Sequence, residues 1–528
     1  MPTILTSFIF LSCSAFAQTV GGEYDAIFEW SGEEVGDYFG NYTAGAGDVN
    51  NDGIPDLVIG APGGGLYGKA YVYSGLDGAL IYQFDGKDQE ENFGDAVAGA
   101  GDVNGDGFDD IIIAGSLSYF GAGVVKVYSG YDGTELHEWG GSGGADFLGW
   151  TVSGAGDVNQ DGYDDVLIGA HARHAFLRSG WDGSIIYEWT GGYGFGVNVA
   201  NAGDVNNDGI PDAIIGDLSS GYPGGWYKGA AHVFSGADGQ LLYKFEGLHD
   251  DQHLGTSVST AGDVNQDGFD DILIGSSGEY LFPPSSAQVF SGADGSLIYQ
   301  WEKENSIPRY SGTSVASIGD FSGDGIPDII YCNSSTDFHS GFDGSLIDSW
   351  EYESTGPWST SRTGAAGVGD VNLDGFDDFI IPPPGQSPNS ASVYGIFNPL
   401  MSASANEISI SAGGSIQLQL DFPLVAANYE YRVLASASGV GPTIFGVAVP
   451  LTLDSLAQRS WYGVYPGVNK GNLQGILDAN GDGFATVRIT AGNWPELVGM
   501  VFHLAAIAMP PGELPKHSSV AVPITILP

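Results

Sequence analysis

Cysteine is nearly absent: Cys13 and Cys332 are the two in 528 residues. A disulfide framework is therefore excluded as the main staple. Basic residues are scarce too, with 15 Lys and Arg against 65 Asp and Glu and a formal charge of −50. That balance argues against nucleic acid, which requires a clustered basic footprint. Beyond the N-terminus no apolar run reaches the roughly 18 residues of a membrane span. Long helix-period patterns are missing as well. With 42% hydrophobic and 12% aromatic residues, the acidity is not that of a disordered chain.

What is abundant is glycine, at 85 residues. Glycine, aspartate and asparagine break the sequence into short alternating apolar runs, which reads as an all-β chain. Residues 1–17 read as an export signal. Thr3–Phe16 is mostly apolar, and Ala15-Phe16-Ala17 is an A-x-A cleavage site ahead of Gln18. The n-region lacks Lys and Arg. A lipoprotein reading at Cys13 is weaker, because Phe10-Leu11-Ser12 is a poor lipobox. Signal removal leaves Cys332 alone, so an exported domain needs another staple, and metal is a good candidate.

One nonapeptide dominates the chain. Asp48-Val49-Asn50-Asn51-Asp52-Gly53-Ile54-Pro55-Asp56 has oxygen-bearing side chains at positions one, three, five and nine, and glycine at six. It recurs at Asp102, Asp157, Asp204, Asp263, Asp320 and Asp370, at spacings of 54, 55, 47, 59, 57 and 50 residues. A period of this length marks one supersecondary unit per copy. Residues 93–139 show the unit: a short strand through Ala96–Ala98, the loop Asp102–Asp110, the apolar strand Ile111–Ile113, a loose segment, the strand Val124–Tyr128, a turn at Asp132-Gly133, and Leu136–Trp139. Four antiparallel strands per repeat make a propeller blade.

The turn, Ser-Gly-x-Asp-Gly, starts at Ser74, Ser129, Ser179, Ser235, Ser291 and Ser340, giving six turns against seven loops. The seventh blade lacks a fourth strand at its end. Ile27–Trp30, ahead of the first blade, resembles the other fourth strands. It is expected to complete the last blade and close the ring, which hides edge strands. The expected architecture is a seven-bladed β-propeller over residues 24–398, followed by a β-sandwich-like domain over 404–528, where alternating strands continue without the loop period. Strand order places loops and turns on one face. The irregular segments between strands two and three, and between blades, fall on the other, where recognition is expected.

The loop chemistry points to calcium, which takes six to eight hard oxygen ligands. The candidate ligands, with the backbone carbonyl at position seven, are Asp48, Asn50, Asp52, Ile54 and Asp56; Asp102, Asn104, Asp106, Phe108 and Asp110; Asp157, Asn159, Asp161, Tyr163 and Asp165; Asp204, Asn206, Asp208, Ile210 and Asp212; Asp263, Asn265, Asp267, Phe269 and Asp271; Asp320, Ser322, Asp324, Ile326 and Asp328; and Asp370, Asn372, Asp374, Phe376 and Asp378. Three carboxylates in each of seven loops account for 21 acids. Seven bound Ca²⁺ would reduce the net charge to about −36. Glycine at six permits a sharp turn with positive φ. Magnesium prefers rigid octahedral sites rich in water, and zinc would want Cys or His. Ser322 makes the sixth loop the weakest candidate.

The run Phe-Gly, then Gly-Ala-Gly-Asp-Val-Asn-x-Asp-Gly, then Asp-Asp-Ile-Ile-Ile resembles the FG-GAP repeat of integrin α-subunit propellers and related exported bacterial proteins. The resemblance covers roughly residues 24–397 and implies a seven-bladed ring with calcium loops on the face opposite ligand. Calcium in all seven loops goes beyond the integrin pattern, where only some blades carry the loop. The lead Phe-Gly becomes His253-Leu254-Gly255, Tyr310-Ser311-Gly312 and Arg362-Thr363-Gly364 in later blades. The tail resembles a β-rich C-terminal domain found behind such arrays.

Other patterns read as structural. Gly140-Gly141-Ser142-Gly143-Gly144 matches a nucleophile string but lacks a following helix. His171 and His174 read as a solvated loop pair, and Cys332 as a buried thiol. Asp478–Thr486 imitates the metal loop but loses a carboxylate, and reads as a hairpin turn. Phe84, Trp139, Trp189, Phe245, Trp301 and Trp350 recur on fourth strands and read as core. Trp226, Tyr227 and Trp358 fall in variable loops, where rings can stack on sugars or simply pack over the blade edge. The expected function is a secreted or surface-exposed, monomeric, non-enzymatic module binding an extracellular protein or glycan. A polysaccharide lyase-like enzyme and a structural envelope protein are the alternatives.

Overall fold

A computed structural model describes residues 24–396, except 35, 88–91, 118–120, 144–145, 172, 219, 221–226, 279–283, 304–313, 323–324, 334, 352–364, 372–376 and 382–389, and ten strands between 400 and 527. The export signal lies outside these residues.

Seven four-stranded antiparallel sheets form the blades of a β-propeller. Blade one runs Tyr42–Gly47, Asp56–Ala61, Lys69–Tyr73 and Leu80–Asp85 in that spatial order. Blade seven is Ala366–Gly369, Asp378–Ile381 and Ser390–Ile396, and its outer strand is Tyr24–Ser31. The N-terminal strand thus closes the ring as expected, with Trp30 opposite Ala391 in antiparallel register.

Burial follows the sequence pattern. Second strands such as Asp110–Gly115 and Asp165–Ala170 are buried at every residue, because neighbouring blades cover both faces. Each hydrophobic cluster joins two adjacent blades. Leu57 and Ile59 pack with Ile380 and Val393 across the closure, and Val58 and Val72 pack with Ile111 and Ile113 at the next junction. The opening Phe39, Phe93 and Phe195 are fully buried, and Leu148 and Leu254 take the same place in blades three and five. Large apolar volume is what the position requires.

Fourth-strand aromatics do more than fill the core. The Trp30, Trp139, Trp189 and Trp301 indoles each donate Nε1–H to the last glycine carbonyl of the next blade's turn, at 2.9–3.2 Å. Blades one and four, with Phe84 and Phe245 at this place, use Tyr82 and Tyr243 hydroxyls on Gly130 and Gly292 carbonyls instead. The rings are latches between blades as well as core.

Blade six carries a buried polar strut. Lys303 Nζ, from blade five, reaches Asp337 Oδ2 at 3.0 Å and donates to the Ser335 carbonyl. Beside it His339 is 5% exposed and stacks on Trp301 at 4.3 Å. Cys332 is buried and free, and burial pushes its thiol up to about 11.

In the tail the strands pair into one four-stranded and one larger sheet. Gln474–Ile476 pairs with Glu430–Ser436, and Asp482–Ile489 pairs with Gly414–Asp421 and Asn469–Lys470. The hairpin turn expected at Asp478 lies outside the described residues.

Desolvation pushes His339 down to about 4, against nearby Asp337, which favours the charged ring, and with Lys303, which opposes it. A depressed folded value means that this contribution is intact above the unfolded value near 6.5 and is lost as pH falls toward 4. Between pH 7 and 5 this one group should remove about 2 kcal/mol of stability. Denaturant unfolding of both proteins at both pH values should show the parent losing about 2 kcal/mol more than His339→Phe as pH falls, since the other titrating groups shift both alike. An equal pH slope in the variant would refute the assignment.

Candidate functional site

The repeat loops lie where the first strand of each blade turns into the second. The first five are fully described; Asp324, Asn372, Asp374 and Phe376 lie outside the described residues. Position-six glycines adopt φ of +84° to +91° in the first six loops, the left-handed turn that glycine permits.

The ninth aspartate is buried in every blade. Its Oδ2 accepts the N–H of position two at 2.9–3.1 Å in six blades. In the six blades that own a turn, its Oδ1 accepts the N–H of the turn's first glycine at 2.9–3.1 Å. One carboxylate therefore ties loop to turn, and the two motifs recur together for that reason. A side chain on that glycine would collide with the position-eight carbonyl; for Gly75 the Cβ would stand 1.9 Å from the Pro55 oxygen. The first aspartate binds the loop from the other end: Asp48 accepts the N–H groups of Asp52 and Gly53.

Position eight is a feature that the motif reading missed. Asp109, Asp164, Asp270 and Asp377 each accept the N–H of the first loop residue in the preceding blade, at 2.7–2.9 Å. Pro55, Pro211 and Pro327 take this position in the other blades and pack over Gly369, Gly156 and Gly262. The Asp-or-Pro alternation was visible in the sequence. Its target lies about sixty residues away and appears only once the ring is closed.

Among the described residues, no group of three or more His, Cys, Asp or Glu side chains is drawn together closely enough to hold a metal ion. The loop carboxylates turn onto backbone N–H groups. The donor set still fits a hard cation. Asn50 Oδ1 is buried without a hydrogen-bond partner. Burial raises Asp56, Asp110, Asp165 and Asp212 to about 7 and Asp271 to about 6, and the fifth-position carboxylate adds to the shift. Charged, these groups need a positive partner.

At the opposite end of the inner strands lies a cavity of about 650 Å³. Thr43, Val97, Val152, Val199, Val258, Val315 and Ala365 come to it from the seven blades. Aromatic rings gather on one side. Trp150 meets His171 at 4.7 Å, and Tyr193 meets His171 edge-on at 5.5 Å. Beside them, at the junction of blades four and five, Tyr227 stacks with His253 at 6.2 Å. Tyr193 is 61% exposed and Tyr227 41%. Among the described residues, no lysine or arginine lines the cavity. The expected His171–His174 pair is split: His171 faces this cavity, and His174 bonds Glu188 at 3.0 Å. Of the three variable-loop aromatics, Tyr227 reaches the cavity, whereas Trp226 and Trp358 lie outside the described residues. Trp150 was missed because it sits near the start of an inner strand, Leu148–Gly156, and Tyr193 because it falls in the short turn ahead of Phe195–Gly203. Ser142, in the glycine-rich string, caps its own turn by bonding Asp146.

The FG-GAP repeat model matches residues 40–74 and 148–185, and the FG-GAP-like repeat model matches residues 263–331. The matches fall on blades one and three and on blades five and six. The chain therefore carries FG-GAP repeats on its seven-bladed β-propeller, similar to those of integrin α subunits. Among its relatives, integrin alpha-5 of Xenopus laevis is 31% identical over 177 residues, covering 28% of this chain and 16% of the relative. Integrin alpha-2 of Mus musculus is 34% identical over 171 residues, covering 28% and 14%. Integrin alpha-4 of Xenopus laevis is 33% identical over 159 residues, covering 27% and 15%. The chain thus spans about a sixth of the length of the curated relatives it matches.

The FG-GAP loop geometry ranks its own aspartates. Asp165→Ala removes the carboxylate that accepts the N–H groups of Val158, Asn159 and Gly180. It should cost about 3 kcal/mol or more. Asp161→Ala loses one exposed bond to the Tyr163 N–H and should cost under about 1 kcal/mol. Urea unfolding in chelator reads both, and equal losses would contradict the ranking.

Proposed function

We propose that this chain is an exported, calcium-stabilised, monomeric and non-enzymatic binding module. It takes an extracellular protein or glycan at the cavity away from the repeat loops. The observation that carries this reading is the cavity itself: every blade contributes to a concave, ring-rimmed space of a size that suits ligands. The integrin α likeness supports a binding role. Loops on a rigid scaffold are where recognition is usually built. Calcium would be held by the oxygen set of each repeat loop, from position one through nine. Its role there is to offset buried carboxylates, which strengthens the fold without entering recognition.

Two measurements test the parts separately. Chelator should lower the melting temperature sharply and added calcium restore it, with elemental analysis giving about seven ions per chain. No shift, or fewer than about four ions, would sink the calcium reading. An array of glycans and extracellular-matrix proteins should yield a ligand whose binding falls at least tenfold in Tyr193→Ala and Tyr227→Ala. A ligand indifferent to both substitutions would place recognition elsewhere.

A further inference from the structure

The loop face carries aromatic rings that neither folding nor the cavity explains. Tyr131 and Trp181 occupy the third position of the turns in blades two and three, and are 64% and 61% exposed. Each pairs with the position-seven residue of its own loop: Tyr131 with Phe108 at 5.1 Å, and Trp181 with Tyr163 at 4.7 Å. Tyr163 also reaches across to the loop of blade two, where a Cβ on Gly105 would touch its ring at 2.7 Å. The two ring pairs therefore sit side by side on adjacent blades. Blades four and five have Ala237 and Ala293 at the same turn position. The turn tolerates a small residue, so the large rings are not required for its shape.

Exposed rings of this size on a solvent face call for an occupant. Their surroundings narrow its chemistry. The loops and turns that frame them bear Asp106, Asp132, Asp161 and Asp182, and the adjoining Arg178 is turned inward, bonding the Gly183 carbonyl and lying over the Trp139 ring. Polyanions and anionic membrane surfaces are repelled there. Two adjoining ring pairs are also small beside the roughly 800 Å² that each partner gives to a stable protein interface. A pyranose ring offers what remains: a flat C–H face that lies on an aromatic ring, and hydroxyls that donate to neighbouring carboxylates.

We propose that Phe108, Tyr131, Tyr163 and Trp181 form a second binding platform, on the loop face, for a neutral polysaccharide chain. It is independent of the cavity and of its ligand. The test uses the full chain with calcium present. Affinity electrophoresis through cellulose derivatives, xylan, mannan and glycol chitin should show retardation by at least one neutral polymer, with alginate as the anionic control. Trp181→Ala and Tyr131→Ala should each weaken retardation at least fivefold, and the double variant should abolish it. Because both rings are exposed, melting temperatures should stay within a degree or two, and circular dichroism confirms the fold. Tyr193→Ala, at the cavity, should retain full binding. No retardation by any neutral polymer, retention undiminished in the double variant, or binding lost in Tyr193→Ala alone would each overturn the proposal. Preferential binding of anionic vesicles or of alginate would do so too.

Discussion

The buried carboxylate at position nine holds each repeat together. It accepts from the start of its own loop and, where the blade has a turn, from the turn beyond the third strand. The loop face is thereby fixed by one side chain per blade. Without it, several backbone N–H groups would be buried without partners, each costing about 1–3 kcal/mol. Burial in turn makes the charged carboxylate costly, and the backbone N–H groups that it accepts offset part of that cost. The same constraint explains why a chain with so little cysteine can build a ring of seven blades.

Blade-to-blade cohesion has two further layers. Apolar clusters at every junction supply the bulk of the burial, with inner and second strands buried between neighbours. Polar latches then set the register between blades: position-eight aspartates on the loop face and indole or phenol donors at the outer strands. Each latch is one hydrogen bond of modest net value. Their repetition around a closed ring matters more, since no blade can slip without breaking bonds on both sides. The closing strand Tyr24–Ser31 joins this scheme through Trp30, which latches onto blade one exactly as other outer strands latch onto their neighbours.

Much of this was legible in the chain. The loop count fixed the number of blades, and the shortage of one turn pointed to the N-terminal strand as the closure. Those features are periodic, and periodicity survives in one dimension. Contacts between blades do not. Asp109 and Asp48 are joined only because blades one and two face each other across a shared core, and nothing local to Asp109 announces its partner. The cavity was legible as a place but not as a set of residues. Trp150 belongs to a strand start that looks like ordinary core and Tyr193 to a short turn between blades, and their gathering depends on how the rings of one blade and the next converge. His171 looked like half of a loop pair, because three residues of spacing says nothing about the bend between strands two and three.

The two faces differ because their backbone groups are differently committed. On the loop face nearly every repeat position has a hydrogen-bonding task, so sequence variation is squeezed into the few positions whose side chains point outward. The third turn residue is one of them, and alanine there in two blades shows that the fold asks nothing more. Tyr131 and Trp181 at this place are additions to the scaffold rather than parts of it. On the opposite face the described connections share a backbone latch, with the Phe93, Leu148 and Leu254 N–H groups on the Tyr67, Ala122 and Lys228 carbonyls, and beyond it their lengths and compositions diverge from blade to blade. Uniform chemistry with a few exposed rings on one side, and divergent loops around a concave centre on the other, is an arrangement that supports two recognition surfaces of different kinds on one rigid ring.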